Sequence, residues 1–214
     1  MTLLNYYESH IYMKTLDACT VIDNHRDNSI VVCTMGAMNA IDKLPSNPLT
    51  IACVPLMGGA SSIALGLALS RPERKIMVFD GDASLLMELG SLVTISDSSP
   101  TNLIHFVFNN SVQFAGLGNL DTPGARQINF VEMALACGYK SSYRIDSISR
   151  LENSLIEIFD CVGPTFVELV VESEDGSLCA ENPSIEMTDD RFVRMGNEIR
   201  RVRKFFGFDV CSTV

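Results

Sequence analysis

Short apolar runs rich in β-branched and aromatic residues alternate along this chain with stretches whose apolar positions recur at helical spacing. The runs are residues 29–33 (SIVVC), 50–54 (TIACV), 75–79 (KIMVF), 103–108 (LIHFVF), 141–145 (SSYRI) and 165–171 (TFVELVV). Between them, residues 61–69, 84–95, 129–137 and 148–159 predict helices, and Leu85, Leu86, Leu89 and Leu92 share one side of the second. Residues 6–23 predict a further helix ahead of the first strand. Strands that are apolar throughout, rather than alternating, imply burial on both faces. Their alternation with helices predicts an α/β fold: a doubly wound parallel sheet with helices on both faces. On this reading residues 1–28 are an N-terminal helical extension, 29–175 the sheet domain, and 176–214 a C-terminal tail with an amphipathic basic helix.

In that tail Phe192, Met195, Ile199 and Val202 recur at helical spacing among Arg191, Arg194, Arg200, Arg201, Arg203 and Lys204. The pattern predicts a helix that docks on a subunit. The alternative, phosphate or nucleic-acid binding, sits poorly with a net charge of −10. Hydrophobic residues make up 47% and charged residues 20% of the 214, and mean hydropathy is +0.20. Such a composition fits a sheet covered on both faces, or a surface covered by a partner. No apolar run reaches the roughly 18 residues of a membrane helix, and the start lacks the pattern of a signal peptide. A cytoplasmic protein with no membrane role is the expectation. The seven cysteines include no C-x-x-C pair and read as small, reduced core residues. His10, His25 and His105 are scattered, and His105, inside LIHFVF, reads as a core histidine.

In doubly wound sheets ligands bind beyond the carboxyl ends of the strands. Three polar or glycine-bearing segments fall there: residues 54–62 (VPLMGGASS), 80–84 (DGDAS) and 109–112 (NNSV). None is a phosphate loop of G-x-x-x-x-G-K-[ST] type, and Gly116-x-Gly118 lacks the third glycine of a dinucleotide fingerprint. Gly81 permits a tight turn, and the helix after it offers free backbone N–H groups to an anion. Asp82 places a hard oxygen ligand beside that anion, and Asn110, at the next strand end, offers a neutral one. With a backbone carbonyl and phosphate oxygens, these suffice for the octahedral set of Mg²⁺ at about 2.1 Å. Taken singly, each residue has an ordinary reading: Met57 as core, Asp82 as a helix cap, Asn109-Asn110 as a turn.

Gly81-Asp82-Ala83, then 25 residues, then Asn109-Asn110, resembles the paired motif of the thiamine diphosphate enzymes. The text from residue 29 to 174 is similar to the pyrophosphate-binding domain of their 2-oxo acid decarboxylases, especially those acting on sulfopyruvate and phosphonopyruvate. The resemblance implies thiamine diphosphate and Mg²⁺ as cofactors. It implies Asp82, Asn110 and the Val112 carbonyl as metal ligands, and backbone around Ala83 and Ser84, with Gly81 and Gly36, against the diphosphate. It places Met57, followed by Gly58, as the apolar wedge that bends the cofactor, and the Pro55 carbonyl as acceptor from the aminopyrimidine. Ala83, Pro55 and Ser111 stand where the family usually has glycine.

In the family the activating glutamate belongs to a second, pyrimidine-binding domain. The resemblance therefore implies no catalytic acid or base in this chain, and a partner: an α-type subunit, in an α2β2 or larger assembly. The implied reaction decarboxylates a small 2-oxo acid, sulfopyruvate- or phosphonopyruvate-like or another. The product is an aldehyde, or an acyloin if a second carbonyl accepts the carbon. The polar loop at 111–126 has Arg126 as its only basic residue. Two other readings stand beside this one: a non-catalytic paralogue that stabilises a complex, and an ordinary nucleotide-binding domain.

Overall fold

The computed structural model describes residues 13–53, 57–115, 119–125, 127–173 and 188–208. Six strands form one parallel sheet: β1 (Ile30–Cys33), β2 (Thr50–Ala52), β3 (Ile76–Gly81), β4 (Leu103–Asn109), β7 (Ser141–Ile145) and β8 (Thr165–Val170). Their order is β2-β1-β3-β4-β8-β7. β5 (Val112–Gln113) and β6 (Leu120–Asp121) make a separate antiparallel pair. Every residue of β1, β2 and β4 is buried, as uniformly apolar runs require of a sheet covered on both faces.

The two coverings come from different helices. α1 (Thr15–Asp23), α2 (Met35–Ile41) and α7 (Ile148–Asp160) bury Ala18, Ile22, Ala37, Leu151 and Leu155 against Phe79, Phe106 and Val167. On the opposite face lie α3 (Gly59–Ser70), α4 (Asp82–Met87), α5 (Ser91–Ser98) and α6 (Phe130–Cys137). Ala64, Leu85, Leu92, Ile95 and Phe130 there pack on Val78, Val107 and Phe166. The doubly wound α/β fold expected from the pattern is the one observed.

Three local expectations are corrected. The helix expected over residues 6–23 is interrupted ahead of Thr15, where Met13 bridges in parallel to Val171; residues 6–12 lie outside the described residues. The stretch 84–95 forms two helices, not one. Glu88 leaves helical geometry (φ −128°, ψ 42°) and Gly90, a poor helix former, follows. The helix at Met35–Ile41, directly after β1, has no counterpart in the expected elements.

The C-terminal helix α8 (Thr188–Phe205) is amphipathic as expected, yet its apolar stripe finds its partner within this chain. Val202 is buried, and Met195 and Ile199 pack against the same core face as α3 and α5, while Phe192 is 44% exposed. Polar contacts fix the helix at the sheet edge. Glu198 Oε2 accepts the Ala52 N–H of β2 at 2.7 Å and Oε1 accepts from Arg194 Nε at 2.9 Å. Arg191 and Arg194 both donate to Asp42 at the end of α2, and Arg191 also to Asn39. These buried pairings absorb arginines that a count of basic residues assigns to a surface.

Cys19, Cys33 and Cys53 are buried and in no disulfide, with Cys137 and Cys161 half-buried, in line with reduced core residues. His105 is fully buried, its Nδ1 3.1 Å from the Tyr139 hydroxyl. No helix among the described residues is long and apolar enough to cross a membrane.

Replacing Glu198 by Ala strands the Ala52 N–H and one side of Arg194 in a buried place. A charge-assisted hydrogen bond lost this way costs about 1.5–3 kcal/mol. The expected result of a urea titration is a lower midpoint with an unchanged slope, together with faster hydrogen exchange at the Ala52 amide.

Candidate functional site

The chain leaves β1 for β2 on one side and then crosses to β3 on the other. The connections after β1 and β3 therefore diverge and leave a crevice above the strand ends. A cavity of about 270 Å³ lies there. Its wall is built from residues just past the ends of three neighbouring strands: Gly36 after β1, Gly81 to Ser84 at the end of β3, and Asn110 and Val112 after β4. Met57 lines it from the turn before α3. A larger open groove runs along α8 past Ser46, Asn197 and Arg201, away from these strand ends.

Of the ten residues singled out in the sequence, eight line this one cavity. Pro55 lies outside the described residues. Gly58 does not line the cavity: its N–H donates to Ser84 Oγ at 2.7 Å, and its φ of +83° starts α3. It thus sets the turn that presents Met57. Gly81 is extended (φ −108°, ψ 158°), so its value lies less in a left-handed turn than in a bare backbone at the cavity wall. A Cβ there would meet only Ser84 Cβ, at 3.9 Å. A Cβ on Gly36 would meet none of the described residues within 4 Å, which leaves that wall open too.

Asp82 opens α4 and is 3% exposed. Burial pushes its carboxyl pKa up, against hydrogen bonds from Thr122 and from backbone nearby. Thr122 Oγ1 donates to Asp82 Oδ2 at 2.9 Å, and the Thr122 N–H donates to the Ser111 carbonyl at 2.9 Å. The turn after β4 is thereby tied to the carboxylate after β3. Asn110 Oδ1 accepts the Val112 N–H at 3.1 Å, an Asx turn that fixes the amide. Ser111 adopts φ +61°, the conformation in which glycine is usual, and its hydroxyl bonds back to Asn109 Oδ1 at 3.3 Å. Such local bonding is how a short polar residue tolerates the left-handed region. Ala83 is not among the positive-φ residues, so its Cβ is accommodated.

No three His, Cys, Asp or Glu side chains converge among the described residues. At the ends of β3 and β4 the wall offers the Asp82 carboxylate, the Asn110 amide and main-chain carbonyls, all oxygen donors. That set suits a hard cation such as Mg²⁺, which keeps water or phosphate oxygens in its remaining positions. A cation would also relieve the desolvated Asp82 carboxylate. On the donor chemistry the residues present fit a metal-bound diphosphate.

Thr122, which holds Asp82, had no signal in the sequence beyond a turn-like Asp-Thr-Pro. Asn39, Gln113 and Phe114 also line the cavity without having been singled out. Gln113 and Phe114 belong to or follow β5, part of a hairpin hidden inside a stretch that reads only as polar loop.

The family model described as "Thiamine pyrophosphate enzyme, C-terminal TPP binding domain" matches residues 31–169. Phosphonopyruvate decarboxylase of Streptomyces viridochromogenes is 34% identical over 146 residues, covering 68% of this chain and 36% of that protein. Sulfopyruvate decarboxylase subunit beta of Methanothermobacter thermautotrophicus is 29% identical over 183 residues, covering 85% of this chain and 95% of that one. This chain therefore spans about a third of the first relative and nearly all of the second. A thiamin diphosphate-dependent enzyme structure from Mycobacterium smegmatis superposes with a TM-score of 0.66 at 20% identity, over 77% of this chain and 32% of that one. At that identity the likeness concerns the fold.

Gly58→Ala tests the turn. The new Cβ would lie 2.3 Å from Glu88 Cγ and 2.4 Å from Glu88 Cβ, at a φ of +83°. The left-handed conformation alone costs about 1–2 kcal/mol. The expected outcome is a lower melting temperature by calorimetry, with faster hydrogen exchange at the residue 58 amide, which bonds Ser84 Oγ, as the turn loosens.

Proposed function

The chain belongs to the thiamine pyrophosphate enzymes, matching their C-terminal TPP-binding domain, and from that premise we propose that it is the β-type subunit of a two-component decarboxylase acting on a small 2-oxo acid. One observation carries the proposal: Asp82, Asn110 and Val112, from two adjacent strand ends, line a single cavity with the backbone of Gly81 to Ser84. In this reading the Asp82 carboxylate, the Asn110 side-chain oxygen and the Val112 carbonyl hold Mg²⁺. The backbone at Ala83 and Ser84, with Gly36 opposite, faces the diphosphate. Met57 stands across the cavity, where it would hold the cofactor bent, and the Pro55 carbonyl would meet its aminopyrimidine.

When bound, thiamine diphosphate supplies the electron sink that lets a 2-oxo acid lose carbon dioxide. What this chain contributes is position. Thr122 fixes the rotamer of Asp82, the Asx turn aims Asn110, and the apolar Met57 and Phe114 keep water from that part of the cavity. No residue of this chain is assigned as catalytic acid or base. The activating glutamate is expected from an α-type subunit carrying the pyrimidine-binding domain, in an α2β2 or larger assembly. Support for a separate subunit comes from the relative of matching length, whose own name is that of a beta subunit. Sulfopyruvate or phosphonopyruvate, or a related 2-oxo acid with an anionic tail, is the substrate class those relatives' names suggest.

Two outcomes are expected. Thiamine diphosphate with Mg²⁺ stabilises the chain by about 2.7 kcal/mol at a hundredfold excess over Kd, read as a thermal shift; Asp82→Asn abolishes the shift, and ADP or NAD produces none. Decarboxylation of sulfopyruvate, followed as released carbon dioxide, is absent with the purified chain and appears when an α-type subunit is added. Turnover by the single chain would overturn the two-component reading, and a shift that survives Asp82→Asn would overturn the metal site.

A further inference from the structure

Glu168 sits within β8, fully buried, in a run that is otherwise apolar. A carboxylate in such a place is costly unless its bonds are used. β8 lies between β4 and β7, where Glu168 pairs with Val107 on one side and Arg144 on the other. Side chains alternate along a strand, so Asn109, two residues beyond Val107, shares the face of Glu168. Asn109 Nδ2 donates to Glu168 Oε1 at 2.7 Å. Arg144 Nη1 lies 3.5 Å from the same oxygen, and Oε2 has no hydrogen-bond partner among the described residues. The carboxylate is thus shared between the Asn109 amide, at the point where β4 ends, and the Arg144 guanidinium.

That amide is bonded on its other side as well. Asn109 Oδ1 accepts the Ser111 N–H at 3.0 Å and the Ser111 hydroxyl at 3.3 Å. Holding Nδ2 fixes which way Oδ1 points, and Oδ1 holds Ser111 at its φ of +61°. Asn110 and Val112 flank Ser111, and the Asn110 Asx turn closes over it. The chain of bonds therefore runs from a buried strand position to the two β4-side residues of the cavity wall.

We propose that Glu168 is a positioning residue for the metal site, acting through Asn109 to set the Asn110–Val112 turn before any ion arrives. This rests on the reading of Asp82, Asn110 and Val112 as the Mg²⁺ site. Removing one partner of a buried pair is itself destabilising, so the role is told apart from a merely structural one by metal affinity and by rescue with the conservative variant rather than by stability. Glu168→Met removes the acceptor, whereas Glu168→Gln keeps an oxygen able to accept from Asn109.

The test uses the full chain and two readouts. Without metal, hydrogen exchange at the Ser111 amide is followed by NMR. With thiamine diphosphate present, Mn²⁺ affinity is measured by electron paramagnetic resonance. For Glu168→Met, exchange at Ser111 quickens and Mn²⁺ binding weakens about tenfold to a hundredfold, the usual cost of losing an outer support of a metal site. Glu168→Gln stays close to wild type in both. Asn109→Ala reproduces the loss, and combining it with Glu168→Met adds nothing further, as members of one linkage should behave. Should Glu168→Met fail to fold, Asn109→Ala decides alone. Wild-type Mn²⁺ affinity in folded Glu168→Met, or in Asn109→Ala, overturns the proposal while leaving the metal site standing. Failure of the wild-type chain to bind Mn²⁺ at all overturns the metal site and the positioning role together.

Discussion

A parallel sheet whose chain departs from β1 in one direction and resumes at β3 on the other side must open a gap between its connections. In this protein the strand ends bring glycine backbone, the Asp82 carboxylate and the Asn110 carboxamide to the same opening. The site is therefore a product of strand order first and of side-chain chemistry second. Burial of the strands on both faces makes that order rigid, since Phe79, Phe106 and Phe166 are fully buried between two helical layers. The cavity wall inherits that rigidity.

The polar groups near the opening form a nested set of supports. Thr122 braces Asp82 from the segment after β6, and the same residue's N–H reaches Ser111. Asn109 braces Ser111 from below. A second brace comes from the far side: Arg191 of α8 contacts both Asp42 and Asn39 of the α2 region, and Asn39 lines the cavity. Helix α8 thus touches the wall of the site indirectly, through α2, although its own residues lie elsewhere.

How much of this was legible in the sequence depended on the kind of signal. Largely apolar runs located five of the six strands of the main sheet, because burial on both faces leaves no alternation to misread; the sixth, β7 (SSYRI), is an edge strand with only Ile145 buried and carries no such run. The place of Gly81-Asp82 and Asn109-Asn110 after apolar runs put them at strand ends, and their resemblance to the paired motif of the thiamine diphosphate enzymes joined them into one site. The two-residue strands β5 and β6 carried too little pattern to register inside a polar stretch. Helix α2 was missed because MGAMNAI is short and sits directly on a strand end. For α8 the periodic stripe correctly announced a buried face, but periodicity says nothing about whether the covering surface belongs to another chain. Thr122 stands 40 residues from Asp82, and such a pairing becomes visible only once the chain has folded back. Glu168 did leave a trace, a lone acid within TFVELVV, whose meaning needed the register of β4 against β8.

The contact between Glu198 and the Ala52 N–H has a consequence outside the site. β2 is the outermost strand on its side of the sheet, and an outermost strand with free amides invites another chain to pair with it, the route to edge-to-edge aggregation. Here a side-chain carboxylate on a packed helix occupies the amide that an intruding strand would need. The helix therefore works as a guard rail for the sheet, and a chain that lost it would carry an open seam along β2.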